Sequence, residues 1–97
     1  MRLVLASLEG PHRDRAHPAH PPPAGVLALL SDLVWAHAVT ANGLEHVRAT
    51  ASDDGVDLYL FLRAVSDAAA LDQARALLDG ARASLHVHGY STAALRR

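Results

Sequence analysis

Between residues 44 and 63 the chain alternates apolar and polar side chains in two runs, separated by a four-residue break. The first is Leu44-Glu45-His46-Val47-Arg48-Ala49-Thr50-Ala51; the second is Val56-Asp57-Leu58-Tyr59-Leu60-Phe61-Leu62-Arg63. A period of two is that of a β-strand, whose successive side chains point to opposite faces. The break is Ser52-Asp53-Asp54-Gly55, and its Asp54-Gly55 step supplies the positive φ that a tight turn needs. The two runs therefore predict an antiparallel hairpin. Segments of helical period flank it on both sides, which leaves very few topologies open.

Residues 2–8 are an apolar run too brief to assign by period; its length and the following Gly10-Pro11 favour a strand. Residues 10–25 hold five prolines and three histidines with no apolar anchor, the composition of an exposed, mobile loop. Residues 25–42 predict the first helix. At about 100° per residue, Val26, Leu30, Leu33, Val34, His37 and Ala41 share one broad face. Asn42-Gly43 then offers a C-terminal stop. Ser66 or Asp67 can cap a second helix that runs to about Ala83. Its apolar side is Ala70, Leu71, Ala74, Leu77, Leu78 and Ala81, and Gly80 is its weak point or marks an earlier end. Residues 84–90 alternate again and predict the last strand, leaving 91–97 as a frayed tail.

The order is β-α-β-β-α-β within a single domain spanning residues 1–97. It implies an α+β, ferredoxin-like fold: a four-stranded antiparallel sheet, strand order 4-1-3-2, with two helices on one face.

Hydrophobic residues make up 51% of the chain, but about twenty of them are Ala. Ala brings little surface to bury, so the core is thin and oligomerisation becomes a plausible support. A formal charge of −1 and a pI near 6.6 provide no electrostatic footprint for nucleic acid or anionic membrane. Every basic residue other than His is Arg, a bias expected of a GC-rich genome such as an actinobacterial one. The chain has no Cys, which excludes disulfides, thiolate nucleophiles and Cys-based zinc sites. The start, Met1 to Glu9, resembles a signal peptide, but its apolar run is too short, and no stretch has the length of a membrane span. A cytoplasmic location is the expectation.

With helices on one face, parity sorts each strand. Val56, Leu58, Leu60 and Leu62 point inward, leaving Asp57, Tyr59, Phe61 and Arg63 on the open face. Likewise His46, Arg48 and Thr50 face outward from the second strand, and His86, His88 and Tyr90 from the predicted fourth. The first strand is ambiguous, because either Leu3 and Leu5 or Val4, Ala6 and Leu8 must face outward. An apolar centre with a polar rim has the make-up of an interface. The expected interface residues are His46, Arg48, Tyr59, Phe61, His86, His88 and Tyr90; the alternative is that the 10–25 loop or the tail folds over this face. Trp35 falls on the outer side of the first helix, near Val39, and joins the interface set because exposed Trp is costly and enriched at binding hot spots.

Seven histidines raise a metal site, with His86 and His88 at i,i+2 on one strand face and His12, His17 and His20 on the loop. No carboxylate stands at fixed spacing to the pair, so no metal and no cofactor is expected. His37 reads as a hydrogen-bonded core histidine. Ser52, Ser66 and Ser84 all fall at turn or capping positions, and none sits in a Gly-x-Ser-x-Gly elbow. Tyr59 and Phe61 have the i,i+2 spacing of the stacking aromatics in RNA-recognition motifs, but the strand lacks that motif's glycines and leading basic residue. The first reading is a non-catalytic protein-interaction or assembly module that self-associates or docks a protein partner through its open sheet face. The second is a dimeric α+β-barrel-type enzyme or small-ligand binder using His46, Arg48, His86, His88 and Tyr90; the third is a His-based metal-binding module.

Overall fold

A computed structural model describes residues 1–10, 24–53 and 55–97. Most of the loop expected at 10–25 lies outside the described residues. The hairpin forms from β2 (Leu44–Ala51) and β3 (Gly55–Leu62), paired antiparallel from Leu44↔Leu62 to Ala51↔Val56. Asp54, the other half of the expected Asp-Gly turn, lies outside the described residues; Gly55 is the first residue of β3, and close packing requires glycine there. A Cβ at Gly55 would stand 2.1 Å from the Leu8 carbonyl oxygen, so glycine lets the neighbouring strand pass. That neighbour is β1 (Arg2–Glu9), which pairs with β3 from Arg2↔Leu62 to Glu9↔Gly55.

The first helix, α1 (Ala24–His37), stops five residues before the predicted end. Beyond it, the Asn42 side chain accepts the Val39 N–H at 2.9 Å, offering the backbone an alternative to further helix. A short 3-10 turn at Thr40–Asn42 follows, and Gly43 leaves it at φ 66. The Gly43 carbonyl accepts the Arg63 N–H at 2.7 Å, while the Gln73 side-chain amide donates to the carbonyls of Asn42 and Arg63. Ala41, expected in the core, is exposed as a consequence of the early stop.

The second helix, α2 (Asp67–Val87), is capped by Ser66, whose hydroxyl accepts the Ala69 N–H at 3.0 Å. It runs through Gly80 and past Ala83, into residues expected to form a strand. Leu85 continues the phase of Leu78 and Ala81, and all three are buried. The helix ends at Gly89, with φ 86. There the Gly89 N–H bonds to the His86 carbonyl and the Tyr90 N–H to the Leu85 carbonyl, with Leu85 and Tyr90 both buried. This is a Schellman ending with its hydrophobic contact. The fourth strand, β4 (Ser91–Arg96), therefore occupies the stretch expected to fray, and it pairs with β1 across a bulge at Ser7/Leu8.

The sheet order is β2-β3-β1-β4, all antiparallel, and the fold is α+β and ferredoxin-like. Val4, Ala6 and Leu8 face the helices, which settles the parity of β1. They join Leu58, Leu60 and Leu62 of β3, Leu30 and Val34 of α1, and Leu77 and Leu85 of α2 in one core. Ala70, Ala74 and Ala81 let α2 lie close upon it. Among the described residues no helix is long and apolar enough to cross a membrane.

Asp67, the first residue of α2, clamps both ends of the described chain. Arg2 donates to its Oδ1 at 2.8 Å and to the carbonyls of Ala64 and Val65, and Arg97 donates to its Oδ2. The hydrogen bond from Arg2, then that from Arg97, holds the Asp67 carboxyl below its ordinary value of 3.8. A depressed folded-state pKa gives stability that is complete above the unfolded value and is lost as pH falls through the folded one. Asp67→Asn should thus be less stable than the parent at neutral pH, with the difference closing as pH drops below 3.8. Urea titrations of both proteins across that range check it; a gap that stays constant with pH would refute the clamp.

Candidate functional site

The open face is a grid fixed by strand register. Leu3 lies beside Phe61, and Phe61 beside His46. In the next row Arg48, Tyr59, Leu5 and Arg96 stand across all four strands. The row after that is Thr50, Asp57, Ser7 and Ala94. Inward neighbours on β1 and β3 are fully buried while these outward residues are not, so each row reaches solvent on the side opposite the helices. Its centre is an apolar quartet, Leu3, Leu5, Tyr59 and Phe61, on the two middle strands. The His46 and Phe61 rings pack at 5.6 Å between centroids, tilted by 43°.

Charge is graded along the strands. His46, Arg48 and Arg96 flank the quartet, whereas Asp57 and Glu9 lie toward the hairpin-turn end, where they border one shallow hollow with Ser7. Among the described residues neither Arg48 nor Arg96 forms an ion pair.

The nine residues expected at the interface fall in three separate parts of the fold, one of them partly in the core. His46, Arg48, Tyr59 and Phe61 share the sheet face. Trp35 is 43% exposed on the outer side of α1, and Val39, just past that helix, is 62% exposed. His86 and His88 sit on the last turn and C-cap of α2, not on a strand, and Tyr90 is in the core. The i,i+2 strand geometry that suggested a two-imidazole site therefore does not exist. Among the described residues no group of three or more His, Asp or Glu side chains could hold a metal; His12, His17 and His20 lie outside them. Leu3, Leu5 and Arg96 were missed as certain members of the face. The first two were one arm of an unresolved parity, and Arg96 was hidden in the supposed tail.

His37 closes α1 with Nε2 3.0 Å from the Ser84 Oγ on α2. Ser84 is thus inside a helix, not at a turn or cap as expected. The distance suits a Ser–His dyad, but among the described residues no carboxylate orients the other ring nitrogen. The contact ties the two helices together. No family model matches the chain, and comparison with curated proteins and with solved structures gives no match either.

Proposed function

We propose that this chain is a non-catalytic, cytoplasmic assembly module that self-associates, or docks a protein partner, through the open face of its sheet. The observation that carries the reading is the contiguous quartet Leu3, Leu5, Tyr59 and Phe61 on the two central strands, on the side that neither α1 nor α2 covers among the described residues. A monomer seldom leaves a patch of this kind wet. The graded charge supports a second copy as occupant. When two copies stack with strands antiparallel, the His46–Arg48–Arg96 half of one lies over the Asp57–Glu9 half of the other. Such a contact is self-complementary, as a two-fold interface must be. The α+β-barrel enzyme reading needs His86, His88 and Tyr90 beside His46 and Arg48; with the first three on α2 and in the core, that cluster loses its geometric basis.

Static light scattering at micromolar concentration tests the proposal. A mass at a multiple of 10.3 kDa is expected, falling with added salt as the charge halves are screened. A mass of 10.3 kDa with a cooperative thermal transition would overturn self-association and leave a different protein, or this chain's own 10–25 segment, as the occupant.

A further inference from the structure

Asn42 is the only Asn in the chain, and Gly43 follows it. We infer that this step is a site of spontaneous deamidation that the fold holds latched, so that position 42 is modified when the corner between the 3-10 turn and β2 opens. The chemistry needs no partner beyond water. The Gly43 amide nitrogen loses its proton and attacks the Asn42 Cγ, forming a C–N bond that closes a five-membered imide. The carboxamide nitrogen leaves as ammonia. Water then opens the imide at either carbonyl, leaving aspartate or, with the chain rerouted through Cβ, isoaspartate. Glycine favours the attack because it has no Cβ to crowd its nitrogen. The product carries one further negative charge, and so marks chains that have been open.

In the closed corner every reacting group is held away from the reaction. A planar imide places the Gly43 nitrogen eclipsed with the Asn42 Cβ, roughly a quarter turn from the ψ of a 3-10 turn. The Asn42 side-chain oxygen accepts the Val39 N–H at 2.9 Å, and the Asn42 carbonyl accepts from the Gln73 Nε2 at 2.7 Å. The Gly43 N–H, whose proton must leave, donates to the Thr40 carbonyl at 3.1 Å, and the Gly43 carbonyl is fixed by the Arg63 N–H. Asn42 is also buried, with 6% of its surface exposed. Attack therefore requires these bonds to break together. The labile pair is nonetheless what the corner demands. Gly43 stands at φ 66, where a Cβ would also collide with the Arg63 carbonyl, and Asn42 supplies the acceptor for the backbone just past α1.

The test follows ammonia release and isoelectric focusing of the full chain, incubated at neutral pH in buffer and in guanidinium chloride, with peptide mapping to place the change. The denatured chain should convert at position 42 to a mixture of aspartate and isoaspartate. The native chain should convert at least about tenfold more slowly, the factor set by an opening free energy of about 1.4 kcal/mol. Gln73→Leu removes the donor shared by the Asn42 and Arg63 carbonyls, and should speed conversion in buffer about fivefold, the effect of losing one net hydrogen bond. Equal rates in the native and denatured chain, no conversion in the denatured chain, or a Gln73→Leu chain that is folded by circular dichroism and converts no faster than the parent would each overturn the inference. Should Gln73→Leu fail to fold, the parent's native-to-denatured ratio decides alone. None of these readouts depends on whether the sheet face self-associates.

Discussion

Phe61→Asp is expected to give a folded chain that no longer self-associates, whereas Leu60→Asp is expected to give no folded chain. The two residues are neighbours on β3 and differ only in face. Leu60 is fully buried in the core, so a carboxylate there meets no polar partner, at a cost of several kcal/mol. A domain of this size has about 5–15 kcal/mol of stability in total, and a core built partly from Ala leaves it little reserve. Phe61 is half-buried on the open face beside His46 and near Arg48. An Asp at that position has basic neighbours in the monomer and desolvates a charge only when the face is covered. Light scattering and far-ultraviolet circular dichroism on both variants separate the effects. A folded Phe61→Asp that still associates would move the contact off the sheet. An unfolded Phe61→Asp beside a folded Leu60→Asp would mean that the faces of β3 are exchanged.

The hairpin, both helices and the sheet order were legible because each rests on a local periodicity that tertiary packing reinforces. Leu58, Leu60 and Leu62 bury on one face of β3 as their alternation demands. Ala70, Ala74, Leu77, Leu78 and Ala81 bury along one side of α2 at helical spacing. Residues 84–97 were misread for a specific reason. Residues 84–88 satisfy two periods at once: Leu85 and Val87 alternate with polar neighbours, but Leu85 also stands seven residues after Leu78 and four after Ala81. The deciding signal was Gly89 between Leu85 and Tyr90, the residue pattern of a Schellman ending. Once Gly89 is assigned to a helix terminus, the strand must follow it. His86 and His88 then leave the sheet and Arg96 joins it.

That assignment carries a second large expected effect: Leu85→Ala should cost about 2–5 kcal/mol, and Val87→Ala about zero. In a strand the two side chains would share a face and both truncations would open the same layer of core. In α2 they diverge, with Leu85 1% exposed against Tyr90 and Val87 80% exposed in solvent. Val87→Ala also replaces a β-branched residue by the best helix former, which adds a few tenths of a kcal/mol in the opposite sense. For a domain near 100 residues, each kcal/mol moves the melting temperature by roughly 4–8 °C, so Leu85→Ala should fall by on the order of 10 °C or more. The comparison is made at one fixed protein concentration, because self-association would couple stability to it. Comparable losses in both variants would return residues 84–87 to a strand and His86 and His88 to the sheet. A loss confined to Leu85→Ala fixes α2 through Val87, and with it the Arg48–Tyr59–Leu5–Arg96 row across the open face.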